Sequence, residues 1–485
     1  MKTHKEKKQK SNNIKNRLVK AKAFVLTMFM LTNISMDVFA QTNLEPVMPS
    51  NQIPIGKSYN PENPFPNQWN YFPQQKNSLL NINYQTQQMN KQQMEKFGYQ
   101  PPPTQQQMTV DYYDQHSLSR QQKEKELYKI INDLNNEPRS NSKTSAEFNT
   151  LFRLANINSP TFKYHLQHYN SAYNEILEML SGKKELSLKR TVFLVENSYY
   201  QNKLNYAEFC KQVNELVLDC KQILKSKNLN QEDFMACHFA IQQLFKEKFK
   251  YDFDDYMGKD DFTKQFVSKL LNINTGQCHS LPLLYLILAE DMNINAFLAF
   301  APNHSYIKFG NAHLSFNFET TNGTFVSDKW IVGSGYVSST AIKNHIYLAP
   351  LSKEQVISQC LIDLALGFEN FVGKSDFTIR CANSALQYFP NNINSMLIIS
   401  NYIVAQFANI AKKYDFPEES EYHKYPELKK QFDEVVAYEL QVERSGYIKI
   451  PPEQYECWQQ TANEAKQQEE DLKFSNRLKE SVNAN

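Results

Sequence analysis

Apolar residues recur at spacings of mostly three and four through the middle of the chain. Phe148, Leu151, Phe152 and Leu154 begin one such face. Tyr173, Ile176, Leu177 and Leu180 form the next, followed by Phe209, Val213, Leu216, Val217, Cys220, Ile223 and Leu224. Phe239, Ile241, Leu244 and Phe245 continue the pattern. A one-sided stripe of this period predicts amphipathic helices. Asn230 and Asp233 are suited to cap a helix over 231–248. The character changes at 274–335. A turn, Asn274-Thr-Gly-Gln277, leads into Cys278, and Leu281 to Met292 is apolar enough for a buried helix. Runs with alternating features follow at Ala296–Ala301, His304–Phe309, His313–Thr320 and Thr324–Val326, which predict short strands. From Lys353 the pattern is helical again, interrupted at Pro417–Tyr425 and Lys449–Pro452.

Residues 41–120 show no sustained period and are rich in Gln, Asn and Pro, which predicts a disordered linker. The first 40 residues carry nine Lys/Arg and two acids, a net +7. Against +2 for all 485 residues, the remainder is at −5, which argues against a broad nucleic-acid binder. The basic leader precedes an apolar run, Ala23 to Ile34, and the small residues Val38 and Ala40. This is the order of a secretory signal, with an uncleaved membrane anchor as the alternative. The apolar run is short for a comfortable span, and no other segment reads as apolar enough to cross a bilayer. The expected order is a signal (1–40), the linker (41–120), a helical lead-in (121–229), an α+β core (230–350), a helical region (351–470) and a frayed tail (471–485). Only 12 Gly in the chain favours a mainly helical protein.

Seven cysteines are too sparse for a disulfide scaffold, and the odd count leaves at least one thiol unpaired within the chain. Cys210 and Cys220 sit too far apart on one helix to bridge. Cys360 and Cys381 fall on neighbouring helices and are the one candidate pair. No spacing resembles a zinc site, and neither a metal nor a cofactor is implied. Cys278 alone has a context that suggests chemistry. At a helix start, unpaired N–H groups and the positive end of the dipole favour a thiolate. The Cys278 N–H, with Gln277 beside it, is a candidate oxyanion donor. Pro282 falls where a missing N–H costs least.

His304 begins a strand that a two-residue turn at Gly310-Asn311 would return as His313–Thr320. That register pairs Phe309 with Ala312, Lys308 with His313, and His304 with Asn317. Leu314, Phe316 and Phe318 would point one way; His313, Ser315, Asn317 and Glu319 would share a face with His304. Asn317 lies directly opposite His304 and Glu319 is its diagonal neighbour, within side-chain reach. A two-residue shift would bring Glu319 opposite instead. Either residue can orient the imidazole, which meets the requirement for a Cys–His–acid or Cys–His–amide nucleophilic site. His279 and His313 are rival bases. Asn303 and Ser305 could line a cleft, and Tyr285 and Phe300 read as core.

Gly276-Gln277-Cys278, His304 on a strand, and Glu319-Thr320-Thr321 resemble, in order and spacing, the transglutaminase-like (papain-like cysteine) superfamily. The resemblance covers about 230–335. It implies a small core in which a helix carrying the Cys packs on an antiparallel sheet. The family's third residue is usually Asp with Thr two places later; Glu319 and Thr321 take those positions. His279 stands where the familiar enzymes have Trp. No acidic loop like the calcium sites of animal transglutaminases is visible. Downstream, Ala385 followed by Pro390, with Gly373 at an inter-helix turn, resembles a tetratricopeptide repeat, as in bacterial members with a helical tail.

Two functions remain open at this point. In the first, the protein is an exported cysteine hydrolase or acyltransferase of the Gram-negative envelope, acting on amide bonds of a protein or peptide. In the second, it is an inactive form of the same fold whose helical tail recruits envelope proteins. An enzyme requires an open, aligned cleft with a reactive thiol and a scaffold does not; a buried Cys278 or an averted His304 would sink the first reading.

Overall fold

The computed structural model describes residues 152–252, 261–311, 314–332, 336–417 and 419–449. The expected signal, linker, first part of the lead-in and frayed tail lie outside the described residues, as do His313, Cys457 and Pro452–Trp458. Four helices come first: α1 (Pro160–Leu180), α2 (Leu188–Tyr199), α3 (Tyr206–Ser226) and α4 (Phe234–Lys248). Their starts follow cap chemistry. Ser159, Ser187, Asn205 and Asp233 each accept backbone N–H groups of the first turn. The apolar stripe of α3, from Phe209 to Leu224, is buried as its spacing requires.

A short strand β1 (Lys250–Tyr251) pairs in parallel with β2 (Thr275–Gly276). Between them lie a 3₁₀ turn, Phe262–Gln265, and the helix α5 (Val267–Ile273). The central helix α6 (Ser280–Asp291) follows, with every residue from Ser280 to Ala289 buried. A helix apolar on all sides is stable only in a core. Emptying one position such as Leu284 would cost about 2–5 kcal/mol. The strands β3 (Phe297–Ala301), β4 (His304–Asn311), β5 (Leu314–Glu319) and β6 (Thr324–Val326) form an antiparallel sheet in simple chain order. Ile307, Phe309, Phe316 and Phe318 belong to the same core as α6, where the Phe318 ring lies 5.6 Å from that of Tyr285. The other side of the sheet, with Ala299, Ala301 and Tyr306, joins a second core with Ile331, Val337, Met396 and Val442.

The chain continues through α7 (Asp328–Val332) and α8 (Ser339–Lys343) to four long helices: α9 (Lys353–Val372), α10 (Asp376–Tyr388), α11 (Ile393–Lys413) and α12 (Pro426–Arg444). Consecutive members pack on one another, and α9 also packs on α1 and α2. Gly373 ends α9 at φ +93°, where a Cβ would come 2.8 Å from the Arg153 carbonyl. The architecture is therefore mostly α with a small antiparallel sheet, of the α+β class. Two expectations are corrected. Cys360 and Cys381 are both free thiols, although α9 and α10 are neighbours. The helix α11 is long and apolar enough by composition to cross a bilayer, contrary to the sequence reading. Its span is mostly buried against the rest of the protein, and core burial of this kind also calls for an apolar surface.

Candidate functional site

The turn that carries Cys278 is held at three points. Gly276 is paired through β2, and the Asp252 N–H donates to its carbonyl at 3.0 Å. The Ser280 hydroxyl accepts the Gln277 N–H at 3.0 Å and donates to the Lys264 carbonyl at 3.1 Å. The Ser305 hydroxyl donates to the Cys278 carbonyl at 2.5 Å, which ties the turn to β4. Cys278 thus lies in the turn just ahead of α6, with His279 as N-cap, rather than inside the helix. A side chain at Gly276 would meet the Ser280 hydroxyl at 2.5 Å, so this position requires glycine on steric grounds.

His304, at the first position of β4, is brought to both partners. Its Nε2 lies 2.6 Å from Glu319 Oε2. The Cys278 thiol is near enough to the same ring to act, when ionised, as a charge beside it. Burial disfavours the imidazolium, yet Glu319 and Cys278 together outweigh it and raise the His304 pKa to about 10. The other oxygen of Glu319 accepts the Thr321 N–H at 3.1 Å and the Thr321 hydroxyl at 2.9 Å. Thr321 therefore fixes the carboxylate that holds His304.

The register differs from the expected one. Gly310 pairs with Ser315 and Asn311 with Leu314, so both belong to β4 rather than to a turn. Relative to a turn at Gly310-Asn311, β5 is displaced by four residues. An even displacement keeps every side chain on its face. Glu319 changes from one diagonal neighbour of His304 to the other and stays within reach. Asn317 does not. It pairs with Lys308, and its amide donates to Asp328 Oδ1 at 2.8 Å, which also accepts from Lys308 Nζ at 2.9 Å. Asn317 is thus part of the support for a buried lysine.

The rival base His279 is placed apart from the His304–Glu319 pair, and His313 lies outside the described residues. His279 Nε2 lies 3.2 Å from Asp363 Oδ2, on the side of α9. His238, which sequence reasoning did not single out, is wholly buried between Tyr285 Oη at 2.9 Å and the Asn295 carbonyl at 3.1 Å. Desolvation pushes its pKa down to about 3, so it is a neutral core residue. Tyr285 is core, as its position predicted. Asn303, in the β3–β4 turn, adopts φ +53°. The contacts of Ser305 with the Cys278 carbonyl, of Ser280 with the Lys264 carbonyl and of Asp363 with His279 could not have been found from spacing, because each is a tertiary contact.

Cys278 has no solvent exposure, and His304 and Glu319 expose only 5% and 4%. The expectation of an open cleft is therefore not met. The thiol, imidazole and carboxylate are together, but beneath the surface. Among the described residues no His, Cys, Asp and Glu cluster could hold a metal ion.

Fold and site together define a mostly helical α+β protein with a buried Cys–His–Glu cluster. No family model, no curated protein and no solved structure matches the chain.

Proposed function

We propose that the protein is a cysteine-dependent acyl-transfer enzyme of transglutaminase-like type acting on amide bonds. The observation that carries this reading is the His304 ring, held by Glu319 on Nε2 with the Cys278 thiol near enough to act on its charge. In the reaction Cys278 attacks the amide carbonyl and His304 passes a proton to the leaving amine. The resulting thioester is then resolved by water or by a second amine. Glu319 keeps the imidazole in the required tautomer. The Gln277 backbone N–H is engaged by Ser280, so the oxyanion falls to the Cys278 N–H and the Gln277 side chain. Protein or peptide is the substrate class, and the basic leader with its apolar run supports export to the envelope. The stack α9–α12, read as tetratricopeptide-like, supports a partner-binding role for that region.

The burial of Cys278 counts against this reading, because the thiol must be uncovered before it can attack an amide, and it favours a second one, an inactive core that serves as a scaffold. The deciding experiment is the alkylation rate of Cys278 against pH, beside His304→Ala, with other thiols resolved by peptide mass mapping. The enzyme reading expects a rate that persists below about pH 7 and loses that limb without His304. A slow rate that rises only near a thiol pKa of about 8.5, the same in both proteins, supports the scaffold.

A further inference from the structure

Gln265 closes the 3₁₀ turn ahead of α5 and is only 3% exposed, yet neither end of its amide has a partner among the described residues. The turn itself is fixed. The Asp261 carboxylate accepts the Thr263 N–H at 2.9 Å, and the Ser280 hydroxyl donates to the Lys264 carbonyl at 3.1 Å. Gln265 lines a pocket of about 340 Å³, mouth included. Phe262, in the same turn, and Phe266, just after it, form apolar walls, with ring centroids 5.7 Å apart and planes at 89°. Glu196 on α2, His279, and Asp363 on α9 supply the other polar groups. Their charges are met within the protein. The Glu196 carboxylate accepts the Val267 and Ser268 N–H groups at 2.6 and 2.8 Å, and His279 Nε2 lies 3.2 Å from Asp363 Oδ2. Cys278, His304 and Glu319 are not among the walls, so the pocket is separate from the cluster described above.

We propose that this pocket binds a small free molecule through a primary carboxamide head group, recognised by the Gln265 amide. A side-chain amide presents an acceptor carbonyl and a donor NH2 side by side. Turning it over leaves the same two groups to be met. A primary carboxamide carries that pair in the complementary order and satisfies both ends with two parallel hydrogen bonds. An ammonium group meets only the carbonyl, and a carboxylate meets only the NH2. Either would leave a buried polar atom unpaired, which costs stability. The charges in the lining already have partners, so the head group has no charge to offset. The body of the ligand lies against Phe262 and Phe266, as in sites that are mostly apolar with a few placed polar groups. The volume is at the small end for a ligand pocket, which fits a free molecule better than a polypeptide segment. A buried side chain with both polar ends unmet is rare in a fold, and occupancy of the pocket removes the cost. Nothing in this recognition depends on Cys278.

The test titrates the full chain with propionamide, followed by ligand-observed NMR. Saturable binding with a dissociation constant of roughly 1 mM is expected for so small a ligand. Propylammonium, and N,N-dimethylpropionamide, which accepts but cannot donate, should each bind about tenfold more weakly for the hydrogen bond they lack. N-Acetylasparagine methylamide carries the same head group on a peptide backbone and should also bind more weakly than propionamide. If it binds as tightly, a peptide is the source and the assignment to a free molecule is overturned. Gln265→Met keeps the length of the side chain. It should weaken propionamide binding about tenfold and raise the melting temperature, because a buried unpaired amide is gone. The comparison of probes on the wild-type protein stands if this variant fails to fold. Cys278→Ala should bind propionamide as the wild type does; loss of binding there would place the amide at the Cys278 cluster and overturn the proposal. Equal binding of all the probes, tighter binding of propylammonium, or unchanged binding by Gln265→Met overturns it as well. So does the absence of saturable binding, and a melting temperature that falls in Gln265→Met would then assign the amide to an ordered water. A Cys278 alkylation profile with no acid limb would overturn the enzyme reading and leave this result untouched.

Discussion

Glu319→Gln removes one charge from the centre of the site and keeps the volume. The wild-type pair is buried, with Nε2 and Oε2 2.6 Å apart. Burial opposes a charge on His304, but Glu319 and Cys278 together raise its pKa from the ordinary 6.5 to about 10, so Glu319 supplies part of the preference for the charged ring. A loss of about 2–4 kcal/mol in unfolding free energy at pH 7 is expected. The direction with pH follows from linkage. A group whose pKa is raised on folding contributes fully below its unfolded value of 6.5, and that contribution is lost as pH rises through about 10. Wild-type stability should therefore decline by up to ~1.4 kcal/mol per pH unit across that window, and Glu319→Gln should flatten the decline. The chemistry should change as well. Thr321 donates two hydrogen bonds to one carboxylate oxygen, so the Gln carbonyl will be drawn there and its NH2 will face His304. That NH2 donates to Nε2 and forces the neutral ring's proton onto Nδ1, the wrong tautomer for a base acting through that nitrogen. Urea unfolding from pH 6 to 10, together with Cys278 alkylation, checks both expectations. A variant that keeps the wild-type pH slope and the acid limb of alkylation would refute the reasoning.

Asn317→Ala should leave the alkylation profile unchanged, since its amide serves Asp328 and Lys308 rather than His304. Its cost should appear in chemical denaturation, at about 1.5–3 kcal/mol for a lost hydrogen bond to a charged group. Gly276→Ala should destabilise by about 1–3 kcal/mol, because the new Cβ meets the Ser280 hydroxyl at 2.5 Å and Leu270 Cδ1 at 3.0 Å. Cys278 alkylation should fall with it, as Ser280 is what secures Gln277 and Lys264; a variant with normal stability and rate would show that the turn has slack.

Local pattern alone placed the elements nearest the site but not α2, α5, α7, α8 or the β1–β2 pair. The start of β4 at His304, the extent of α6 to within a residue at each end and the strand β6 follow from period and turn residues, because helix and strand geometry repeat at 3.6 and 2.0 residues. The face of β5 was also legible. Alternation puts Glu319 with His304 and Phe316 with the core, and an even slip of four residues leaves that division intact. The register was not legible, because a Gly-Asn pair suits a two-residue hairpin as well as it suits a strand end. The choice between Glu319 and Asn317 hinged on that register, and the tertiary structure brings Glu319 to His304 and gives Asn317 to Asp328, whose partnership no spacing announces. The same holds for Ser305 on the Cys278 carbonyl, Thr321 behind Glu319, and Asp363 on His279. Burial of the thiol was decided last of all. Exposure depends on what every distant segment packs against, whereas helix caps, periodicity and the thiol–imidazole–carboxylate order are written in neighbouring residues.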